Sequence, residues 1–217
     1  MKVGVLGTGI VGRTLAGKLV SLGHEVTMGS RRRGNEMAVA WASESGESAG
    51  EGSFADAAQA GELVVNATAG AASLDALVVA GADNLAGKVL IDIANPLDFS
   101  AGMPPSLTVC NTDSLGEQIQ RAFPAARVVK ALNTVNADVM VDPRIVPGPH
   151  TIFIGGNDAD AKAQVTELLQ SFGWVAEEIM DLGDITAARG AEMYLPLWLR
   201  LLRATGTGHL NVHVVVG

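Results

Sequence analysis

An apolar run, KVGVL (2–6), leads without a break into GTGIVG (7–12) and then into a helical pattern over 10–22 that ends at Gly23, where a C-cap glycine belongs. This strand–turn–helix unit constrains the fold more than any other feature of the chain. The pattern G-x-G-x-x-G is weak alone, but here each glycine has a physical task. Gly7 permits the tight turn, Gly9 lets a pyrophosphate approach the backbone, and Gly12 lets helix and strand touch. The helix amino terminus then offers free N–H groups and a positive dipole end to phosphate oxygens. Gly7, Thr8, Gly9, Ile10, Val11 and Gly12 are therefore candidate cofactor contacts.

The same rhythm continues along the chain. Short apolar runs at 25–28, 63–67, 89–94 and 128–132 read as strands, and the stretches 34–45, 73–79 and 115–123 read as helices. Such alternation yields a parallel sheet covered on both faces, so the expected architecture is α/β, Rossmann-like and doubly wound. Residues 141–150 hold Pro143, Pro147 and Pro149 with one glycine, too many breakers for a regular element. A dinucleotide-binding domain over 1–142 and a small C-terminal α/β cap over 150–217 are expected on either side. The cap should contain strands at 151–155 and around 174–180, helices at 158–172 and 187–203, and a last strand, LNVHVVV. Pro196 should kink the second helix.

Charge narrows the partners. Fifteen basic against 23 acidic residues leave a formal charge of −8, which disfavours nucleic acid or an anionic membrane surface. Glycine and charged residues interrupt every apolar run short of a membrane span. One cysteine, Cys110, allows neither an intrachain disulfide nor a thiolate metal cluster, as in a reducing cytoplasm. Against that acidic background, three of ten arginines follow the second strand in MGSRRRG (28–34). An NAD-binding turn places Asp or Glu there to hold the ribose hydroxyls. Ser30, with Arg31 and Arg32 or Arg33, instead offers charge-assisted bonds to a 2′-phosphate, so NADP(H) is the expected cofactor.

In such folds the ligand lies beyond the carboxyl ends of the strands. The segments there are ATAG, ANP and ALNT. Asn66, Thr68, Asn95, Asn133 and Thr134 offer neutral hydrogen-bonding groups, while Ala67, Ala94 and Ala131 leave room for a nicotinamide. Taken singly, each Asn or Thr reads equally well as a helix cap or turn residue. Lys130 reads either as a functional cation near the pocket or as an amphipathic strand end. His24, His150, His209 and His213 fall outside these segments.

Together GTGIVG, the GSR turn, ANP and VVKALNT resemble the family of NADP-dependent oxidoreductases that act on the deazaflavin coenzyme F-420. The similarity continues through AEMYLPLWLRLL and LNVHVVV, and the nucleotide-binding module is also similar to the cytosolic part of membrane ferric reductases. The resemblance implies direct hydride exchange between NADPH and a deazaflavin or flavin-like small molecule. That chemistry needs positioning and no side-chain nucleophile, so no catalytic side chain and no metal are expected, and no single histidine or lysine is indispensable. Two alternatives stay open: an NADPH-dependent imine or keto-acid reductase, and a non-catalytic NADP(H) redox sensor. Trp198 and neighbouring leucines exceed what a small cap can bury, so a homodimer is expected.

Overall fold

The computed structural model describes every residue from Met1 to Gly217. The chain runs β1 (Lys2–Leu6), α1 (Ile10–Ser21), β2 (Glu25–Ser30), α2 (Glu36–Ser45), β3 (Ala49–Ser53), α3 (Phe54–Ala60), β4 (Leu63–Asn66), α4 (Ser73–Ala80) and α5 (Ala82–Leu85). It continues with β5 (Val89–Asp92), a short hairpin β6 (Leu97–Asp98) and β7 (Ser106–Leu107), α6 (Leu115–Ala122), β8 (Arg127–Ala131) and α7 (Ala137–Val141). Last come β9 (Ile152–Gly156), α8 (Ala159–Phe172), β10 (Ile179–Asp181), α9 (Ala188–Met193) and α10 (Leu195–Thr205).

Eight strands form one sheet in the order β10-β9-β8-β5-β4-β1-β2-β3. Every neighbouring pair is parallel except β8 with β9. From β1 the chain winds outward to β2 and β3, then returns to place β4 on the other side of β1. The order therefore reverses between β1 and β4, and a crevice opens beyond their carboxyl ends. This is the doubly wound α/β fold that the alternating runs imply.

Period-2 alternation explains why the strands read as continuous apolar runs: both faces are covered. Val3 and Val5 of β1, Ile91 of β5 and Val129 of β8 join Leu15, Leu19, Trp41, Val139, Val165 and Phe172 in a core under α1, α2, α7 and α8. Leu6, Val64, Leu90 and Val128 point the other way, into a second core with Phe54, Leu77, Leu85 and Ile119. Gly4 carries no side chain because a Cβ there would stand 2.2 Å from the Ala57 carbonyl oxygen, so α3 lies directly on β1.

The C-terminal segment differs from the expected cap. β9 and β10 extend the edge of the same sheet, and Ile152, Ile154, Leu169 and Trp174 belong to the same core as Val3 and Val5. Residues 150–217 thus pack on the first 142 without a separate sheet. The last strand does not form. β8 and β10 already occupy both edges of β9, so LNVHVVV, tied to Thr151 just before β9, cannot pair with that strand, and it does not reach the outer edge of β10. The tail is instead held at one point, where Thr151 N–H donates to the Val212 carbonyl (2.8 Å) and Asn211 Nδ2 to the Thr151 carbonyl (2.9 Å). No helix is long and apolar enough to cross a membrane.

Candidate functional site

Two adjoining cavities open beyond the carboxyl ends of the strands, and both are lined by Ala67, Thr68 and Ala69, the loop that follows β4. The larger, about 950 Å³, lies over the GTGIVG turn. Gly7 holds a φ of +123°, and a Cβ there would meet the Ala67 carbonyl oxygen at 2.4 Å. At Gly12 a Cβ would stand 2.2 Å from the Gly7 carbonyl oxygen, which is the close helix–strand approach expected of it. Gly9 is different. It is the N-cap of α1, its missing side chain would enter open space, and no side chain caps the helix. The first-turn N–H groups are left to a ligand, and the cradle above Gly9 is one a side chain would fill.

Ser30, Arg31 and Arg32 line the same cavity, with both guanidinium side chains exposed at its edge. The hydroxyl of Ser30 closes the turn by donating to the Arg32 carbonyl (2.5 Å). Arg33 is placed elsewhere: its Nε and Nη2 form a bidentate pair with Asp56, at 2.6 and 2.5 Å, which holds the Asp56 carboxyl well below the usual carboxylate range. Of the three arginines, Arg31 and Arg32 are thus the two that face the cavity. Ile10 lies at the helix start but projects to solvent, 71% exposed, and lines neither cavity.

The smaller cavity, about 380 Å³, is walled by Val11, residues 67–71, Ile93 to Asn95, Leu97, Phe99, residues 133–137, Met140, Leu195 and Trp198. All of these side chains are neutral. Thr68, Asn95 and Asn133 lie in its wall as the sequence suggests, and a reciprocal pair fixes the last two. Asn95 Nδ2 donates to the Asn133 carbonyl (2.9 Å), and Asn133 Nδ2 donates to Asn95 Oδ1 and to the Ala191 carbonyl, both at 3.0 Å. Ala131 does not reach the cavity: it ends β8 on the face shared with Val129 and is fully buried in the core. Asn66 is also enclosed, bonded to Asp92 and Ser73.

Lys130 is neither at the pocket surface nor an exposed strand end. Its side chain is 1% exposed, and Nζ reaches Asp92 Oδ2 and Glu192 Oε1, each at 2.8 Å, and the Ala94 carbonyl at 2.5 Å. Burial pushes the ammonium pKa down, but the two facing carboxylates outweigh it and raise the value above that of a free lysine. None of the four histidines lines either cavity; His150 is buried on the edge of Trp174 and bonded to the Pro143 carbonyl (3.0 Å).

Sequence reasoning missed Asn35, Phe54, Asp75 and Val79 in the larger cavity, and Leu97, Phe99 and Met140 in the smaller. Only Asn35 left a signal. It sits one residue after the arginine turn, and its side chain caps α2 by accepting from the N–H groups of Met37 and Ala38.

The description "NADP oxidoreductase coenzyme F420-dependent" belongs to the family model that matches residues 2–96. A crystal structure from Arthrobacter sp. FB24, provisionally assigned as an F420-dependent NADP reductase, is 57% identical, covers 100% of both chains and superposes with a TM-score of 0.95. The chain belongs to this family. Members of the F420-dependent NADP oxidoreductase family are named as oxidoreductases. Among curated proteins, Metalloreductase STEAP3 of Rattus norvegicus is 30% identical over 202 residues, 91% of this chain and 38% of its own. The F420-dependent NADP reductase of Methanocaldococcus jannaschii is 29% identical over 130 residues, 58% of this chain and 57% of its own. The chain thus spans well under two thirds of these two relatives.

Proposed function

We propose that the protein transfers a hydride between NADP(H) and a planar deazaflavin or flavin-like acceptor, the deazaflavin being coenzyme F-420. The observation that carries this reading is the neutrality of the smaller cavity: every side chain in its wall is aliphatic, thioether, aromatic, amide or hydroxyl. Reducing a ketone or imine concentrates charge on one oxygen or nitrogen and calls for a nearby acid. A fused ring spreads the incoming electron pair over its own carbonyls, so its proton can arrive from solvent and a neutral wall suffices. The imine or keto-acid alternative is disfavoured on that ground.

In this reading Gly7 to Gly12 hold the pyrophosphate, Arg31 and Arg32 the 2′-phosphate, and Thr68, Asn95 and Asn133 border the nicotinamide. When bound, NADPH supplies the hydride from nicotinamide carbon 4. The chain's own contribution is to orient, to exclude water and to keep the two rings in contact. We also infer a homodimer joined through α10, which carries five leucines yet buries none of its residues, and a cytoplasmic setting consistent with the unpaired Cys110.

The test uses NADPH deuterated at the transferred position. Deuterium should appear on the deazaflavin, and single-turnover oxidation should slow. Turnover of an imine or keto acid without deazaflavin reduction would overturn the reading. Tight NADPH binding with no turnover of any acceptor would point to the sensor instead.

A further inference from the structure

The buried charge cluster under the smaller cavity has a reach that its position in the core does not suggest. Lys130 Nζ has three hydrogens and three acceptors: Asp92 Oδ2, Glu192 Oε1 and the Ala94 carbonyl. Each acceptor leads to a different wall of the cavity. Beyond Asp92, Oδ1 accepts from Asn66 Nδ2 (2.8 Å), and Asn66 Oδ1 in turn accepts from the hydroxyl of Thr68 (2.6 Å), in the loop shared by both cavities. The Ala94 carbonyl immediately precedes Asn95, which is paired with Asn133. Glu192 caps α6 by accepting from Leu115 N–H (2.9 Å) and Gly116 N–H (3.0 Å). Its neighbour Ala191 accepts from Asn133, and the chain then enters α10 with Leu195 and Trp198.

We propose that Lys130 is a positioning residue: its ammonium ties together the loops after β4, β5 and β8 and the approach to α10, and so fixes where the acceptor meets the nicotinamide. This rests on the hydride-transfer reading of the two cavities. Stability alone is a poor reason for the cluster, since a well-packed apolar side chain in place of a buried ion pair is often neutral or stabilising. What an apolar residue could not do is bind three wall segments at once. The wall needs such a tie because its loops share no strand pairing beyond the ends of β4, β5 and β8. Lys130 therefore acts through Thr68, Asn95 and Asn133 and donates no proton to substrate.

The experiment compares Lys130→Met and the milder Glu192→Gln with the native protein. Glu192→Gln keeps one oxygen, which can still accept from Gly116 N–H and Lys130, but sets its amide NH2 against Leu115 N–H, so it removes the charge that faces Lys130 together with one bond to the start of α6. Affinities for NADPH and for adenosine 2′,5′-bisphosphate, which carries only the adenosine end, are titrated side by side. Single-turnover hydride transfer to deazaflavin is timed, and Leu169→Ala, in the core beneath α8, serves as a control for lost stability.

Affinity for the bisphosphate should stay within about twofold in both variants, as for a distant site. NADPH affinity and the transfer rate should fall by roughly tenfold to 100-fold in Lys130→Met, and in the same direction but less in Glu192→Gln. A folded Glu192→Gln that keeps native NADPH affinity and rate would overturn the proposal, whether or not Lys130→Met folds. So would an equal loss in Leu169→Ala. Failure of the functional reading looks different. Native protein that binds NADPH no tighter than the bisphosphate would defeat both, whereas NADPH-selective losses with no deazaflavin turnover would leave Lys130 in place and remove the acceptor.

Discussion

At the scale of single residues, the three glycines of GTGIVG separate binding from folding. Gly7 and Gly12 sit against backbone atoms, so a side chain at either disturbs the fold. Gly9 faces open space. Gly9→Val should therefore keep its thermal midpoint while NADPH affinity falls by about tenfold or more, as when charge-assisted phosphate bonds are lost. Undiminished binding in a folded variant would reduce the motif to a plain turn. Arg31→Ala should cost about 1.5–3 kcal/mol of NADPH binding and leave NADH almost unchanged, measured by titration at fixed salt. The glycines and Arg31 were legible because each is read against its immediate neighbours. Arg33 was not: its partner Asp56 stands 23 positions away and belongs to the capping box that opens α3 with Ser53. Ala131 shows a subtler limit. One step along a strand reverses the side-chain face, and the cavity begins only at Asn133, after the strand has ended.

Whole elements were legible where their hydrophobic period was strong. β1, α1, β2, β5, β8 and α8 follow that pattern, but β3 has the sequence AGEGS and nothing in its composition announces a strand. Pairing with β2 over Val26 to Ser30 makes it one. The C-terminal tail illustrates the reverse, since LNVHVVV has the composition of a strand but pairs with none of the sheet's strands. The long apolar helix expected over 187–203 is split at Tyr194 into α9 and α10, with Pro196 in the first turn of the second piece. The junction before β9 also carries a pH response. Burial of His150 against Trp174 lowers its pKa, and His24 shifts in the same direction, so the unfolded chain takes up these protons first as pH falls. Stability should be full above the usual histidine range and decline as pH drops through about 6.5. Thermal melts between about pH 7 and pH 5 should show that slope, and His150→Gln should flatten it.

For the molecule as a whole, one sheet of eight strands carries both cavities; the first core runs along its full width, and the second covers the central strands β1, β4, β5 and β8. The proposed domain boundary at 142–150 was drawn from breakers in the sequence, and the chain does turn there through Pro143 in a short 3-10 segment. What the breakers could not reveal is that β9 returns antiparallel to β8 and joins the existing sheet. Sheet membership depends on pairing across distant segments, which local composition does not encode. The half-buried leucines of α10, with Leu197 exposed at 53%, predict self-association: sedimentation should give a dimer, and Leu197→Glu should shift it toward monomer. A native protein that sediments as a monomer at micromolar concentration would remove the dimer.

The loop from Ala67 to Ala69 is all that the two cavities have in common, and its side chains are small. Apart from Val11, Gly70 and Ala71, the rest of the smaller chamber's wall comes from the segments after β5 and β8 and from α10. On the proposed reading, a lineage of such proteins is free to exchange one acceptor for another by rewriting the β6–β7 hairpin and the face of α10, while keeping the arginine turn and the Asn95–Asn133 pair that borders the nicotinamide. The fold in that sense is a socket with a replaceable half, and laboratory redesign of acceptor choice can begin at Leu97, Phe99, Leu195 and Trp198 without disturbing the nucleotide.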